Sequence, residues 1–392
     1  MKKITIIGGG ISGLVARYRL SQVPDVEVTL YEKSERLGGC IESLQDPYFF
    51  EMGPRTIKAS RSEDLLKLIQ QLDLETEIIY SSKHAKKRYL WVDQKLQAIP
   101  SLLPPLLPAL FNEWRRPALI DSDESIASFA KRRFGTYGAE TFFDPLTRGI
   151  FGGDMNTLSI SACFPELKAL EQTYGSLTRA LIKKKREKKP KGLFTLKGGL
   201  QTLVDRLVKR GKGKIHLSTP IEALPEGETV IALPVREGAK LFQDDQKALS
   251  FFKSVPTISL TVVNVAFKGE TLVPQGFGYL VPSKERENIL GVVFDSSIFP
   301  MQNREKETRL TVMLRDGGER EALFALKKHL SICKIPDRVH VKTYPYAVPQ
   351  YCVGHLERVE AFEAHLKEHY PHITCIGNYL RGVSLNACVK SL

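Results

Sequence analysis

The segment "KKITIIGGGISGLVARYRL", Lys2 to Leu20, restricts the fold of this chain more than any other stretch. Ile4, Thr5, Ile6 and Ile7 form a β-branched run suited to a buried strand. Gly8, Gly10 and Gly13 follow at once in the spacing G-x-G-x-x-G, with Gly9, Ile11 and Ser12 between them. Ile11, Leu14, Val15, Tyr18 and Leu20 then recur at a mostly helical spacing. A second strand, "VEVTLYE", ends in Glu32, 19 positions beyond Gly13. This order is that of a dinucleotide-binding unit. The first glycine permits a tight turn, the second lets a pyrophosphate approach the backbone, and the third lets the helix pack closely on the strand. The helix N-terminus offers N–H groups and a favourable dipole to the phosphates, and Glu32 can accept from both ribose hydroxyls. An acid there also argues against a ribose 2′-phosphate.

The next forty residues decide which dinucleotide is bound. "KSERLGGC", Lys33 to Cys40, sets a second glycine turn, with Arg36 and Gly39, directly after the acidic residue. That is the extended pattern in which more backbone wraps FAD than would wrap NAD. "FEMGPRT", Phe50 to Thr56, adds a carboxylate, the Gly53–Pro54 turn, Arg55 and Thr56. On this pattern the turn lies beside the flavin ring. The cofactor predicted from these residues is FAD.

At 392 residues the chain predicts two or three subdomains. It has no uncharged apolar run long enough to span a bilayer, and its start does not read as a signal peptide. Cys40, Cys163, Cys333, Cys352, Cys375 and Cys388 are scattered without a C-x-x-C pair. No disulfide scaffold or metal site is expected, and a reducing cytoplasm is. The net charge of +13 is concentrated in "LIKKKREKKPK", residues 181–191. A solvated loop, an anionic membrane surface and an acidic ligand all fit that block. Nucleic acid is not an expected partner, because no binding motif or basic–aromatic interleaving accompanies it.

Several later blocks narrow the reading further. They are "FDPLTRGIFGGDMNTLSISACFPEL" (residues 143–167), "LKGGLQTLVDRL" (196–207), "GFGYLVPSKERENILGVVFDSSIFP" (276–300), "VPQYCVGH" (348–355) and "GNYLRGVSLNACVKS" (377–391). With "GGGISGL" and "SERLGG", the chain resembles the FAD-dependent protoporphyrinogen and coproporphyrinogen oxidases, within the amine-oxidase-like flavoproteins. The blocks occur in the family's order along nearly the whole chain. The resemblance implies a mixed α/β fold: a Rossmann-like FAD-binding domain, a discontinuous antiparallel-sheet substrate domain, and a helical insertion that associates with membranes. The implied divisions are 1–85, 193–250 and 346–392 for the FAD domain, 86–95 and 251–345 for the substrate domain, and 96–192 for the helical insertion. The runs "TISLTVVNVAFK" and "ETRLTVMLR" suit the antiparallel sheet. "LLPPLLPALFNEWRRP", residues 102–117, suits either a core-facing loop or an interfacial segment with Trp114 at headgroup depth.

The resemblance also implies site residues. Arg88 matches a position that pairs with a substrate propionate, a role suited to guanidinium. Phe277, Gly278, Leu280, Val293 and Met313 match positions around the tetrapyrrole ring, with Gly276 and Gly278 keeping the approach clear. Arg148 and Gly149 fall on a loop expected to close over the substrate. On periodicity alone the apolar members of this set read as core. Beyond the turns above, Ile221 is expected to hold the adenine through its main chain. Gly377, Gly382, Val383 and Ser384 are expected to give backbone contacts to the cofactor.

The implied reaction is oxidation of protoporphyrinogen IX in heme biosynthesis, by hydride removal from a methylene bridge and release of hydrogen peroxide, with molecular oxygen as acceptor. Coproporphyrinogen III is the alternative substrate. An amine oxidase and a non-catalytic FAD-binding protein are the other readings. No general base is assigned. Implied partners are the tetrapyrrole, a membrane surface on its cytoplasmic face, the next heme-pathway enzyme as recipient, and a second copy of the chain. Two departures from the family stand out. The final helix is cut to about a turn or two, and the hairpin between "STPIEAL" and "ETVIALP" is almost absent, so weaker flavin retention is expected.

Overall fold

The computed structural model describes all residues except Asp46, Asp121, residues 184–189, Lys191, Glu270 and Leu392, so most of the basic block lies outside the described residues. The chain forms two compact units, Met1–Tyr80 with Lys189–Thr257 and Leu356–Leu392, and Ser81–Lys188 with Ile258–His355.

The first unit is built on a parallel sheet. Its five strands lie in the order Lys214–His216, Val26–Tyr31, Lys2–Ile7, Thr229–Ile231, Ile373–Cys375. The strand Lys2–Ile7 pairs in parallel with both Val26–Tyr31 and Thr229–Ile231. That is the doubly wound arrangement anticipated from the glycine turn, and "TVIALP" supplies the returning strand. Both faces of the sheet are covered. On one, Ile4, Ile6, Leu14, Val28 and Leu30 pack with Leu65, Leu68, Leu203 and Leu207. On the other, Ile7 and Ile231 meet an aromatic cluster of Phe242, Phe251, Phe252, Phe362 and Tyr379, in which Phe251 and Phe362 stack at 4.1 Å. Burying each large apolar side chain contributes about 1.5–3 kcal/mol, so the β-branched runs that read as buried strands are where the sheet gains its stability. The closing helix, Leu385–Lys390, is indeed under two turns and is capped by Ser384.

The second unit is a seven-stranded sheet in the order Arg338–Pro349, Thr257–Lys268, Glu307–Leu314, Ile289–Val293, Gly278–Leu280, Tyr89–Val92, Lys95–Ala98. Gly278–Leu280 and Tyr89–Val92 run parallel. The pairings of Thr257–Lys268 with Glu307–Leu314, and of Ile289–Val293 with both Glu307–Leu314 and Gly278–Leu280, are antiparallel. One face is apolar and covered: Trp91, Val263, Val265, Tyr279, Val292, Leu310 and Val312 pack with Ala322, Ala325 and Leu326 of the helix Glu319–Leu330. Because side chains alternate along a strand, the neighbours of these residues occupy the opposite face.

The helices of residues 107–183 are held by a buried ionic network. Glu113, Arg133 and Glu171 are fully buried. Arg133 donates from Nη1 to Glu113 at 3.0 Å and from Nε to Glu171 at 2.7 Å. Ser176 and Thr178 hydroxyls and the Leu177 and Thr178 N–H groups complete the shell of Glu113. Burial alone would raise the Glu171 pKa, but hydrogen bonds from Arg132, Arg133 and Lys168 outweigh it and hold the value at about 2. Among the described residues, no helix is long and apolar enough to cross a membrane.

Candidate functional site

The residues expected to bind the cofactor all fall in the first unit, and most gather at the C-terminal ends of its parallel strands, where α/β sheets bind ligands. Gly8 carries φ +107°, and a Cβ there would meet the Ala232 carbonyl at 2.5 Å. A Cβ on Gly13 would lie 1.9 Å from the Gly8 carbonyl oxygen. Both glycines are required by the protein's own packing. Gly10 is different. Its φ of −70° and ψ of 178° suit any residue, and a Cβ there would meet nothing within 4 Å. No feature of the chain's own packing demands glycine at that point. An approaching phosphate would, and the open space at the first turn of the helix Ile11–Leu20 fits one.

Glu32 terminates its strand and braces the cradle. Its carboxylate accepts the Gly9 N–H at 2.6 Å and, through the other oxygen, the Ser34 N–H at 2.8 Å and hydroxyl at 2.6 Å. The oxygen that accepts the Gly9 N–H keeps a second lone-pair direction for a ribose hydroxyl, whereas the other is already doubly engaged by Ser34. Arg36 folds the second glycine turn by donating to the Gly39 carbonyl at 2.8 Å and to that of Ile41. Lys33 pairs instead with Glu237 at 3.2 Å, so it acts at the rim.

In the third turn, a Cβ on Gly53 would lie 1.9 Å from the Cys40 carbonyl oxygen, which stacks this turn on the second. Pro54 is exposed and Thr56 half-buried. Arg55 is buried and donates to the Glu51 carbonyl at 3.1 Å, so its guanidinium shapes the turn it stands in. After the edge strand, Gly377 and Gly382 take φ +147° and +145°. Val383 is half-buried, and the Ser384 hydroxyl accepts the Ala387 N–H at 3.1 Å. Ile221 packs at the edge of the aromatic cluster. The donors, the glycine clearance and the acid together fit FAD.

The residues expected to meet the substrate fall in the second unit, and Leu280, Val293 and Met313 lie on the sheet face opposite the helix Glu319–Leu330. Register brings several of them together. Leu280 pairs with Gly291, Gly291 with Met313, and Met313 with Val262, giving one row across four strands. Gly278 pairs with Val293 in the next row. Leu280 and Met313 remain half-buried, whereas Val293 is buried. Arg88 immediately precedes Tyr89–Val92 and is exposed. Its guanidinium stands over the Phe277 ring at 4.8 Å, a cation–π contact. Among the described residues it has no acidic partner.

Three expectations need correction. Arg148 and Gly149 lie on no loop. They sit within the helix Asp144–Phe151, which carries Pro145 in its first turn and is closed by Gly152 in the left-handed conformation at φ +61°. Gly149 is small because the helix presses on the sheet: a Cβ there would lie 2.5 Å from Leu280 Cδ2. Gly276 and Gly278 do not keep an approach clear either. A Cβ on Gly276 would strike the Tyr89 ring at 2.6 Å, and one on Gly278, at φ +132°, would strike the Val292 carbonyl at 2.1 Å. Both glycines serve the packing of the sheet itself. Finally, one face of Phe277 is covered by Arg88, so the ring is not an open platform on that side.

The sequence reading missed one residue. Gly291 separates Leu280 from Met313 and keeps that row low. A glycine inside an apolar strand is itself a signal of close approach.

Residues 11–335 match the family described as flavin containing amine oxidoreductase. The chain is 32% identical to the protoporphyrinogen oxidase of Homo sapiens, covering 100% of this chain and 96% of that protein. It is 26% identical to the coproporphyrinogen III oxidase of Staphylococcus aureus, over 99% of this chain and 97% of that one. Among solved structures, a protein of Exiguobacterium sp. 255-15 superposes with a TM-score of 0.88 at 23% identity, covering 100% of this chain and 96% of that one. Cyclohexylamine oxidase from Brevibacterium oxydans shares the fold at a TM-score of 0.72 and 16% identity, over 100% and 96% of the two chains.

Proposed function

Since the chain belongs to the flavin containing amine oxidoreductase family, we propose that it is an oxygen-dependent porphyrinogen oxidase that converts protoporphyrinogen IX to protoporphyrin IX. Its cofactor is FAD. The observation that carries the reading is the similarity to human protoporphyrinogen oxidase along the whole of both chains. The geometry supports it: an exposed, acid-free arginine borders a half-buried apolar sheet face.

When bound, the flavin accepts hydride from a methylene bridge of the substrate and passes the electrons to oxygen, giving hydrogen peroxide. Gly8 to Gly13, Glu32, Arg36, Gly39, Cys40 and the turn Gly53–Thr56 hold FAD, with Gly377, Gly382, Val383 and Ser384 lining it from the C-terminal segment. Arg88 pairs with a propionate, and Phe277 orients that guanidinium from beneath. Leu280, Val293 and Met313 present aliphatic surface to the macrocycle and exclude water. The loosened pyrrole protons leave to solvent, and no side chain is assigned as base.

Mixed without oxygen, the yellow holoprotein should bleach on addition of protoporphyrinogen IX and keep its colour with primary amines; the reverse pattern sinks the reading in favour of an amine oxidase. Arg88→Ala should raise the Michaelis constant about tenfold, the scale of one charge-assisted hydrogen bond, while leaving the flavin spectrum unchanged. An unchanged Michaelis constant removes Arg88 from the site.

The same reading includes peripheral membrane contact from the cytoplasmic side. Leu107, Phe111 and Trp114 recur at helical spacing and are 46%, 74% and 44% exposed. Leu181 and Ile182, on the helix Leu177–Lys183 that touches the helix Leu107–Glu113, are 81% and 86% exposed. Arg115 and Arg179 stand over the Trp114 ring at 5.0 and 5.4 Å. Apolar side chains ringed by cations suit an anionic lipid surface. The double variant Phe111→Asp, Leu181→Asp should lose co-sedimentation with vesicles containing phosphatidylserine while keeping its flavin. Undiminished binding contradicts this part of the proposal.

A further inference from the structure

One imidazole touches both of the strands that carry Leu280 and Arg88, from the covered side of the sheet. His329, in the last turn of the helix Glu319–Leu330, has a fully buried side chain. Its Nδ1 meets the Tyr279 hydroxyl at 3.0 Å, and its ring stacks on Trp91 at 3.9 Å, 18° from parallel. Tyr279 is the middle residue of Gly278–Leu280, and Trp91 stands in Tyr89–Val92. These strands have three and four residues, and they pair in parallel through Tyr279 with Tyr89 and Leu280 with Leu90. With so short a ladder, the offset between Leu280 and Arg88, the residue just before Tyr89, depends on side-chain contacts across the seam.

The hydrogen bond specifies a proton state. Among the described residues the buried Tyr279 hydroxyl has no partner besides His329. An imidazole protonated on Nε2 accepts that O–H at Nδ1. The charged groups facing the ring are Glu287, with Oε2 at 3.5 Å from Nε2, and Lys328, which pairs with the other Glu287 oxygen at 2.5 Å. The two strands contribute Tyr279 and the uncharged Trp91. Burial pushes the His329 pKa below its ordinary 6.5; Glu287 pulls it up, Lys328 pushes it down, and burial prevails. The ring is therefore neutral at pH 7. A proton on Nδ1 would make that atom a donor and leave the Tyr279 O–H without an acceptor among the described residues.

We infer that His329, as a neutral imidazole, is a positioning residue for the porphyrinogen: it pins Tyr279 to Trp91 behind the sheet and so sets Arg88 against Leu280. The inference rests on the porphyrinogen oxidase reading, in which Arg88 takes a propionate and Leu280 meets the macrocycle. His329 acts only through the two strands, so its loss falls on KM rather than on the flavin step.

The test is steady-state oxidation of protoporphyrinogen IX, per bound flavin, by the holoprotein and by Tyr279→Phe, His329→Phe and the double variant. Each single variant breaks the hydrogen bond and strands one buried partner, whereas the double variant removes both partners. Each single variant should raise KM about fivefold to tenfold with kcat within twofold, and the double variant should be no worse than either. A merely structural role would reduce flavin content and leave the KM of the remaining holoprotein unchanged. As the pH falls below 6.5, the KM of the parent holoprotein should rise. Trp91 emission, read in a Trp114→Phe background, should fall with the same midpoint as imidazolium forms against the indole. Both transitions should be absent from His329→Phe. An unchanged KM in both single variants, KM increases that multiply in the double variant, or a pH transition that persists in His329→Phe overturns the inference and leaves the oxidase reading standing. Failure to oxidise either porphyrinogen, with FAD bound, overturns both.

Discussion

Gly10→Val is expected to purify as a folded protein almost free of flavin. The substitution is a clean probe because a Cβ at this position meets open space. The backbone there has ordinary extended dihedrals, and apart from its chain neighbours no atom of the described residues lies within 4 Å of an added Cβ. What a side chain fills is the space through which a pyrophosphate reaches the first turn of the helix. The affinity for FAD should fall about a hundredfold or more, equivalent to roughly 2.7 kcal/mol. Flavin absorbance per mole of protein and a fluorescence titration with FAD would measure it, with the apoprotein melting temperature unchanged. Gly13→Val gives the contrast: its Cβ would overlap the Gly8 carbonyl oxygen, so that variant should lose apoprotein stability as well. A fully flavinated Gly10→Val would mean that the nucleotide does not pass this turn.

The second large effect belongs to Arg133→Met. The side chain is fully buried and donates to two fully buried glutamates. Removing it strands Glu113 with only hydroxyl and N–H donors, while Glu171 retains Arg132 and Lys168. Breaking one partner of a buried ion pair typically costs 3–5 kcal/mol. The remaining cations around Glu171 place this case near the lower end, at about 3 kcal/mol. Urea unfolding followed by tryptophan fluorescence would report it, since Trp114 lies beside the network. The pH dependence has a definite sign. The Glu171 pKa is depressed from 4.5 to about 2 in the folded protein. Its contribution is therefore fully present above pH 4.5 and is lost as the pH falls toward 2. Glu171→Gln should flatten that part of the acid-unfolding profile.

The glycine turn was legible because its chemistry is local. Strand, turn, helix and acid lie within one short segment, and each residue type has a backbone or ligand reason to be there. The long strands Thr257–Lys268 and Glu307–Leu314 were legible by composition for a similar reason. The substrate face was not legible by pattern alone. Leu280 and Met313 look like core residues until register places them in one row, and register between strands separated by tens of residues leaves no local trace. The same holds for Gly149, whose need for a missing side chain is visible only against Leu280. Gly278 misled for a physical reason: a glycine in an apolar strand signals close approach, but the approaching group is the neighbouring strand's carbonyl rather than a ligand.

The central claim is tested most directly by aerobic turnover. Purified holoprotein mixed with protoporphyrinogen IX in air should develop porphyrin fluorescence well above the rate of spontaneous oxidation, with hydrogen peroxide formed in step. A protein that keeps bound FAD yet produces neither, with protoporphyrinogen IX or coproporphyrinogen III, would contradict the account.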